Sequence, residues 1–72
     1  MVLFWPIQQE LNCINDSGDI LGKIKFDSTL DLYGFYPESE STVLSNIEES
    51  NITERLAGLN SGKYSIPAQD DD

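Results

Sequence analysis

From Val2 to Tyr36 apolar side chains recur at nearly every second position, and this period constrains the fold more than any other feature of the chain. Side chains alternate faces along a strand, so a period of two reads as half-buried β structure. In the first run Leu3, Trp5, Ile7, Leu11 and Cys13 fall on one side, interrupted by Gln9. Val2, Phe4, Pro6, Gln8, Glu10, Asn12 and Ile14 fall on the other, wetter side. Asn15-Asp16-Ser17-Gly18-Asp19 then reads as a turn, because Asn and Asp bond their own backbone and Gly accepts positive φ. The second run places Ile20, Ile24 and Phe26 on one face around Gly22, with Leu21, Lys23 and Lys25 opposite. A polar break at Asp27-Ser28-Thr29 leads to the third run, where Leu30, Leu32 and Tyr36 oppose Asp31, Tyr33 and Phe35. The expectation is a three-stranded antiparallel meander whose single buried face carries Leu3, Trp5, Leu11, Ile24, Phe26, Leu30 and Leu32. Pro6 has no N–H for a ladder, so its segment is an edge or begins pairing only after Ile7. Gly22 and Gly34 read as bulges, or as backbone covered by a neighbouring ring.

Pro37 to Ser41 is a linker without an apolar residue. Helical spacing begins after it. Val43, Leu44 and Ile47 share one side of a helix, and Ile52, Leu56 and Leu59 share another, centred roughly 90° or more away at about 100° per residue. The spacing predicts a break near Ser50-Asn51, with Asn51 capping a second helix and Glu54 completing a capping-box pair. Asn60-Ser61-Gly62 stops the helix, Gly62 being suited to a left-handed residue after the last turn. Lys63 to Ile66 alternates and reads as an optional short closing strand, ended by Pro67. The fold class is α+β: a three-stranded antiparallel meander packed by one kinked helix or two short ones, with that C-terminal strand. A single domain spans residues 1–67, followed by a disordered acidic tail over 68–72.

A chain of 72 residues buries only about 60% of its unfolded surface, which leaves little margin of stability. Cys13 is the sole cysteine, so no internal disulfide adds to that margin. Its place on the apolar side reads as a small core residue. The absence of histidine removes imidazole bases, His metal ligands and Ser-His or Cys-His pairs. Asp16 and Asp19 read as turn residues, since the loop lacks calcium-loop spacing and a closing glutamate. No catalytic, cofactor or metal residue is assigned, and enzymatic activity is not expected.

The formal charge is −9, from thirteen acids against Lys23, Lys25, Arg55 and Lys63. Seven acids and no base lie between Asp27 and Glu54. This excess opposes contact with nucleic acid or anionic membrane, both of which need a positive surface. The apolar N-terminus is short and has no basic residue ahead of it, so neither a signal peptide nor a membrane span is expected, and the chain reads as cytoplasmic. The function expected is an acidic protein-interaction module. Its specific form is an inhibitor that presents carboxylates to a basic or nucleic-acid-binding partner where phosphates would sit. The candidate contact residues are Asp31, Tyr33, Phe35, Glu38, Glu40, Glu48 and Glu49. The alternative is a homodimer that buries the Tyr33/Phe35 side and the open strand edges.

Overall fold

Gln8 and Gln9 both adopt positive φ, 52° and 67°, and this doublet decides the architecture. Two consecutive left-handed residues are the type I′ pattern, whose twist suits a two-residue hairpin. The first run is therefore two strands, β1 (Leu3–Ile7) and β2 (Glu10–Ile14). The computed structural model describes residues 1–66, and these form a four-stranded antiparallel sheet in the order β1-β2-β3-β4, with β3 spanning Ile20–Asp27 and β4 Leu32–Pro37. One helix, α1 (Asn46–Ser61), covers one face. The fold is α+β, but the three-stranded meander is corrected to four strands.

The turn also changes which residues share a face. Ile7 pairs with Glu10 and Pro6 with Leu11, so odd positions of β1 lie beside even positions of β2. Phe4 and Pro6 accordingly share the covered face with Leu11 and Cys13, while Leu3, Trp5 and Ile7 share the other with Glu10, Asn12 and Ile14. The expected buried set is split. Leu11 and Ile24 are buried, but Leu3 and Trp5 are 56% and 55% exposed on the open face. The same inversion occurs across residues 28–31, where Ile24 pairs with Phe35 and Asp27 with Leu32. Leu32 thus faces outward, Leu30 is exposed in the turn, and Phe26 sits at the margin of the covered face, edge-on to Tyr33 at 5.3 Å.

A bulge separates the two ends of β3. Cys13 pairs with Gly22 and Ile14 with Ile20, leaving Leu21 as the extra residue. The shift sends Ile20 to the open face and Leu21 into the core. Gly22 is required there: a Cβ would run into the Tyr36 carbonyl, the Phe35 ring and Pro37.

The helix is unbroken. Its N-cap is Ser45, whose hydroxyl accepts from the Glu48 N–H at 3.1 Å while the Glu48 carboxylate accepts from the Ser45 N–H at 2.9 Å. Gly62 ends it at φ 85°. The expected break at Asn51 is corrected, and its reason is visible in the side chains. The conflict between the two apolar groups is resolved by exposure: Val43 precedes the helix and is 85% exposed, and Ile47 is 65% exposed. Only Leu44 of that group packs on the core, beside Ile52, Leu56 and Leu59.

The core contains Val2, Leu11, Cys13, Leu21, Ile24, Ile52 and Leu59. Beside it the Arg55 guanidinium lies between the Phe4 and Tyr64 rings, 4.6 and 4.5 Å from their centroids. Tyr64 lies flat on α1 at Gly58, where a Cβ would strike its ring, and its N–H donates to the Gly58 carbonyl at 3.0 Å. Residues 63–66 therefore fold back on the helix and form no strand. The expected tail over 68–72 lies outside the described residues.

Candidate interaction face

Among the described residues, none covers the side of the sheet away from α1. The register lays out its rows: Leu3, Ile14 and Ile20 at one end, Trp5, Asn12, Lys23 and Tyr36 across the middle, and Ile7, Glu10, Lys25 and Gly34 beyond. Leu3, Trp5, Ile7 and Ile20 are each 41–56% exposed. An apolar strip on a half-exposed sheet is the kind of patch that marks contact surfaces.

The two halves of this face differ. The β1/β2 half is apolar. The β3/β4 half carries an ordered polar chain: the Tyr36 ring leans over Gly34, its hydroxyl donates to Asp27 at 3.3 Å, and Lys25 Nζ sits 4.8 Å from its centroid. Partial desolvation, and then the Asp27 carboxylate, hold the Tyr36 phenol above its ordinary pKa. Lys23 meets Glu10 at 3.4 Å.

Asparagines from α1 bond to both edges of the sheet. The Val2 N–H, at the β1 edge, donates to Asn51 Oδ1 at 2.9 Å. At the β4 edge the Tyr33 N–H donates to Asn60 Oδ1 at 2.8 Å, and Asn60 Nδ2 donates back to the Tyr33 carbonyl at 3.3 Å. A side-chain amide here occupies the bonds that a fifth strand would use. The spacing explains the pair. Nine residues of helix rise about 13.5 Å, and three strand spacings span about 14 Å. An α1 that crosses the strands puts one asparagine at each edge. Nine residues also turn the helix by about 180° between them, so they flank the Ile52/Leu56/Leu59 stripe on its two shoulders.

The sequence-predicted contact residues are not gathered in one place. Tyr33 and Phe35 are half-buried beneath α1, packed on the core. Asp31 is exposed in the β3–β4 turn at φ 59°. Glu38 extends the β4 pairing through its N–H to the Leu21 carbonyl, and Glu40 lies in the turn that follows. Glu48 is held in the capping box. Glu49 lies on the outer side of α1, in a surface depression with Asn46, Thr53 and Glu54. The open-face residues Leu3, Trp5, Ile7, Ile20 and Tyr36 were missed. One signal could have found them: a strand from 2 to 14 is more than twice the usual five or six residues (about 5–6), and Gln8-Gln9 is its only polar doublet before Glu10.

Cys13 is fully buried, and burial pushes its thiol up to about 12, with Arg55 acting in the opposite sense. At neutral pH it is a protonated core residue rather than a nucleophile. Among the described residues no cluster of three metal-ligating side chains occurs, and no helix is long and apolar enough to cross a membrane. Comparison with protein-family models, with curated proteins and with solved structures finds no match.

Proposed function

We propose that the chain is a non-enzymatic protein-interaction module that binds its partner through the open face of the sheet. The observation that carries the reading is the strip of Leu3, Trp5, Ile7 and Ile20, exposed although the chain has a covered face that could have taken them. In a domain this small, apolar surface left outside reduces solubility and adds nothing to the core. A charge of −9 offsets that liability and favours a basic partner over nucleic acid or an anionic membrane. Cytoplasmic residence belongs to the same proposal, as does the specific form in which the carboxylates compete for a basic site.

A photo-crosslinking residue at position 7 tests this. It should capture a partner in cells, and the same group at position 53, on the outer side of α1, should not. Equal capture at both positions, or none at either, would count against the open face.

A homodimer is the second reading. Exposure of Ile47 on an unbroken helix, and of Val43 just ahead of it, favours it, because a second copy could cover them. Sedimentation that shows a monomer at high concentration would remove it.

A further inference from the structure

We infer that the open face takes a basic amphipathic segment of another protein, seated flat across β1 and β2 and not added to the sheet as a strand. The inference rests on the interaction reading above and deepens it.

The mode of docking follows from the edges. Strand addition needs outward N–H and C=O groups on an edge strand. On β1 the hairpin makes Ile7 and Glu10 the first bonded pair, so positions 2, 4 and 6 turn their backbone groups outward. Position 6 is proline, which has no N–H, and the Val2 N–H is held by Asn51. On β4 the Tyr33 pair is held by Asn60. An asparagine blocks one bonding position on each edge, and β1 carries a proline at another, which disfavours strand addition and favours the face.

The chemistry of the occupant follows from where the charges lie. The chain's four basic side chains are all engaged within the fold. Lys23 meets Glu10, Lys25 covers Tyr36, Arg55 lies between two rings, and Lys63 lies 5.5 Å from the Tyr64 centroid. Among the described residues, Asp19, Glu38 and Glu40 form no ion pair. The antiparallel register brings these three to the same end of the sheet, beyond the row of Leu3, Ile14 and Ile20. A partner therefore meets an apolar strip that ends in uncompensated carboxylates. Apolar side chains over Leu3, Trp5 and Ile7, with Lys or Arg toward Asp19, Glu38 and Glu40, match it.

A second copy matches it less well, since it brings the same charge of −9.

Trp5 is the chain's only tryptophan and lies in the strip, so it reports binding directly. The probes are two amphipathic helical peptides of equal length with the same leucine face, one with lysine and one with glutamate on the polar face. The lysine peptide should shift Trp5 emission to shorter wavelength and bind at least about tenfold tighter than the glutamate peptide. Raising salt from low to several times physiological strength should weaken it about tenfold as the attraction is screened. Ile7→Asp should abolish the shift, whereas Glu49→Gln with Glu54→Gln, on the outer side of α1, should leave affinity within about threefold. Equal binding of both peptides would overturn the basic-segment inference and leave the interaction reading standing. Shielding of Trp5 by protein concentration alone, without peptide, would assign the face to a second copy and overturn the inference too. No response to either peptide and no self-association would defeat both readings.

Discussion

Both faces of this sheet carry large apolar side chains, and these meet opposite fates. The covered face holds Val2, Leu11, Cys13 and Ile24, each at most 6% exposed. The open face holds Leu3, Trp5, Ile7 and Ile20, each at least 41% exposed. Hydrophobicity does not separate the two sets, because β1 is apolar on both sides. Loop parity does. A two-residue turn at Gln8-Gln9 puts the even residues of β1 on the helix side and the odd residues outside. The difference teaches that in an antiparallel meander the face of each strand is inherited from the turn before it. It also separates two surfaces: one face holds the fold together, and the other is left to solvent.

Substitutions at matched positions break the comparison most strongly. Ile24→Asp places a charge in the centre of the covered face and should unfold the chain, since burial of an unpaired carboxylate exceeds what a small domain can tolerate. Ile7→Asp should change stability by less than about 1 kcal/mol. Thermal melts of the two variants check this, and similar losses would show that the open face is part of the core.

Alkaline titration sharpens it next. Folding raises the Cys13 pKa from 9.0 to about 12, so the folded chain keeps a proton that the unfolded chain releases. Stability should be full below pH 9 and fall by about 1.4 kcal/mol per pH unit toward pH 12, about 4 kcal/mol in all. Tyr36 contributes in the same direction. Urea melts at stepped pH should show the decline, and Cys13→Ala should flatten it while lowering the starting stability.

The edges give the smaller effects. Asn60→Ala removes both bonds to Tyr33 and should cost about 1–2 kcal/mol. Asn51→Ala removes one bond and should cost about 1 kcal/mol. Helix content should not change with Asn51→Ala, because the cap is Ser45. Faster amide exchange at Val2, with circular dichroism preserved, is the expected signature. Loss of helix C-terminal to residue 51 would instead revive a capping role.

Parts of this structure are legible in the sequence. The Asn15–Asp19 turn is readable because Asn15 Oδ1 accepts from both Ser17 and Asp19, the local bonding that such residues favour. The helix stop at Gly62 and the burial of Cys13 and Ile24 are readable for the same reason: each depends on one residue and its near neighbours. What escapes depends on partners far along the chain. Gln8-Gln9 carries none of the Asn-Gly or Asp-Gly chemistry of a type I′ turn, so the strand reads straight through it. Asn51 looks like a cap because its true partner, Val2, is 49 residues away. For Tyr33 and Phe35 the sequence leaves exposure and cover by a helix both open while β4 is counted in phase with β3; a four-residue connection reverses that phase, and the helix covers them. The open face was lost from the sequence reading through the same error of parity.

The central claim is that odd residues of β1 point away from α1, and the single tryptophan measures it. Trp5 emission and acrylamide quenching in the isolated chain at low concentration should resemble those of a largely solvated indole, and Phe4→Leu should not alter them. A short-wavelength emission that resists quenching in a monomer would place Trp5 under the helix and contradict the account of both faces.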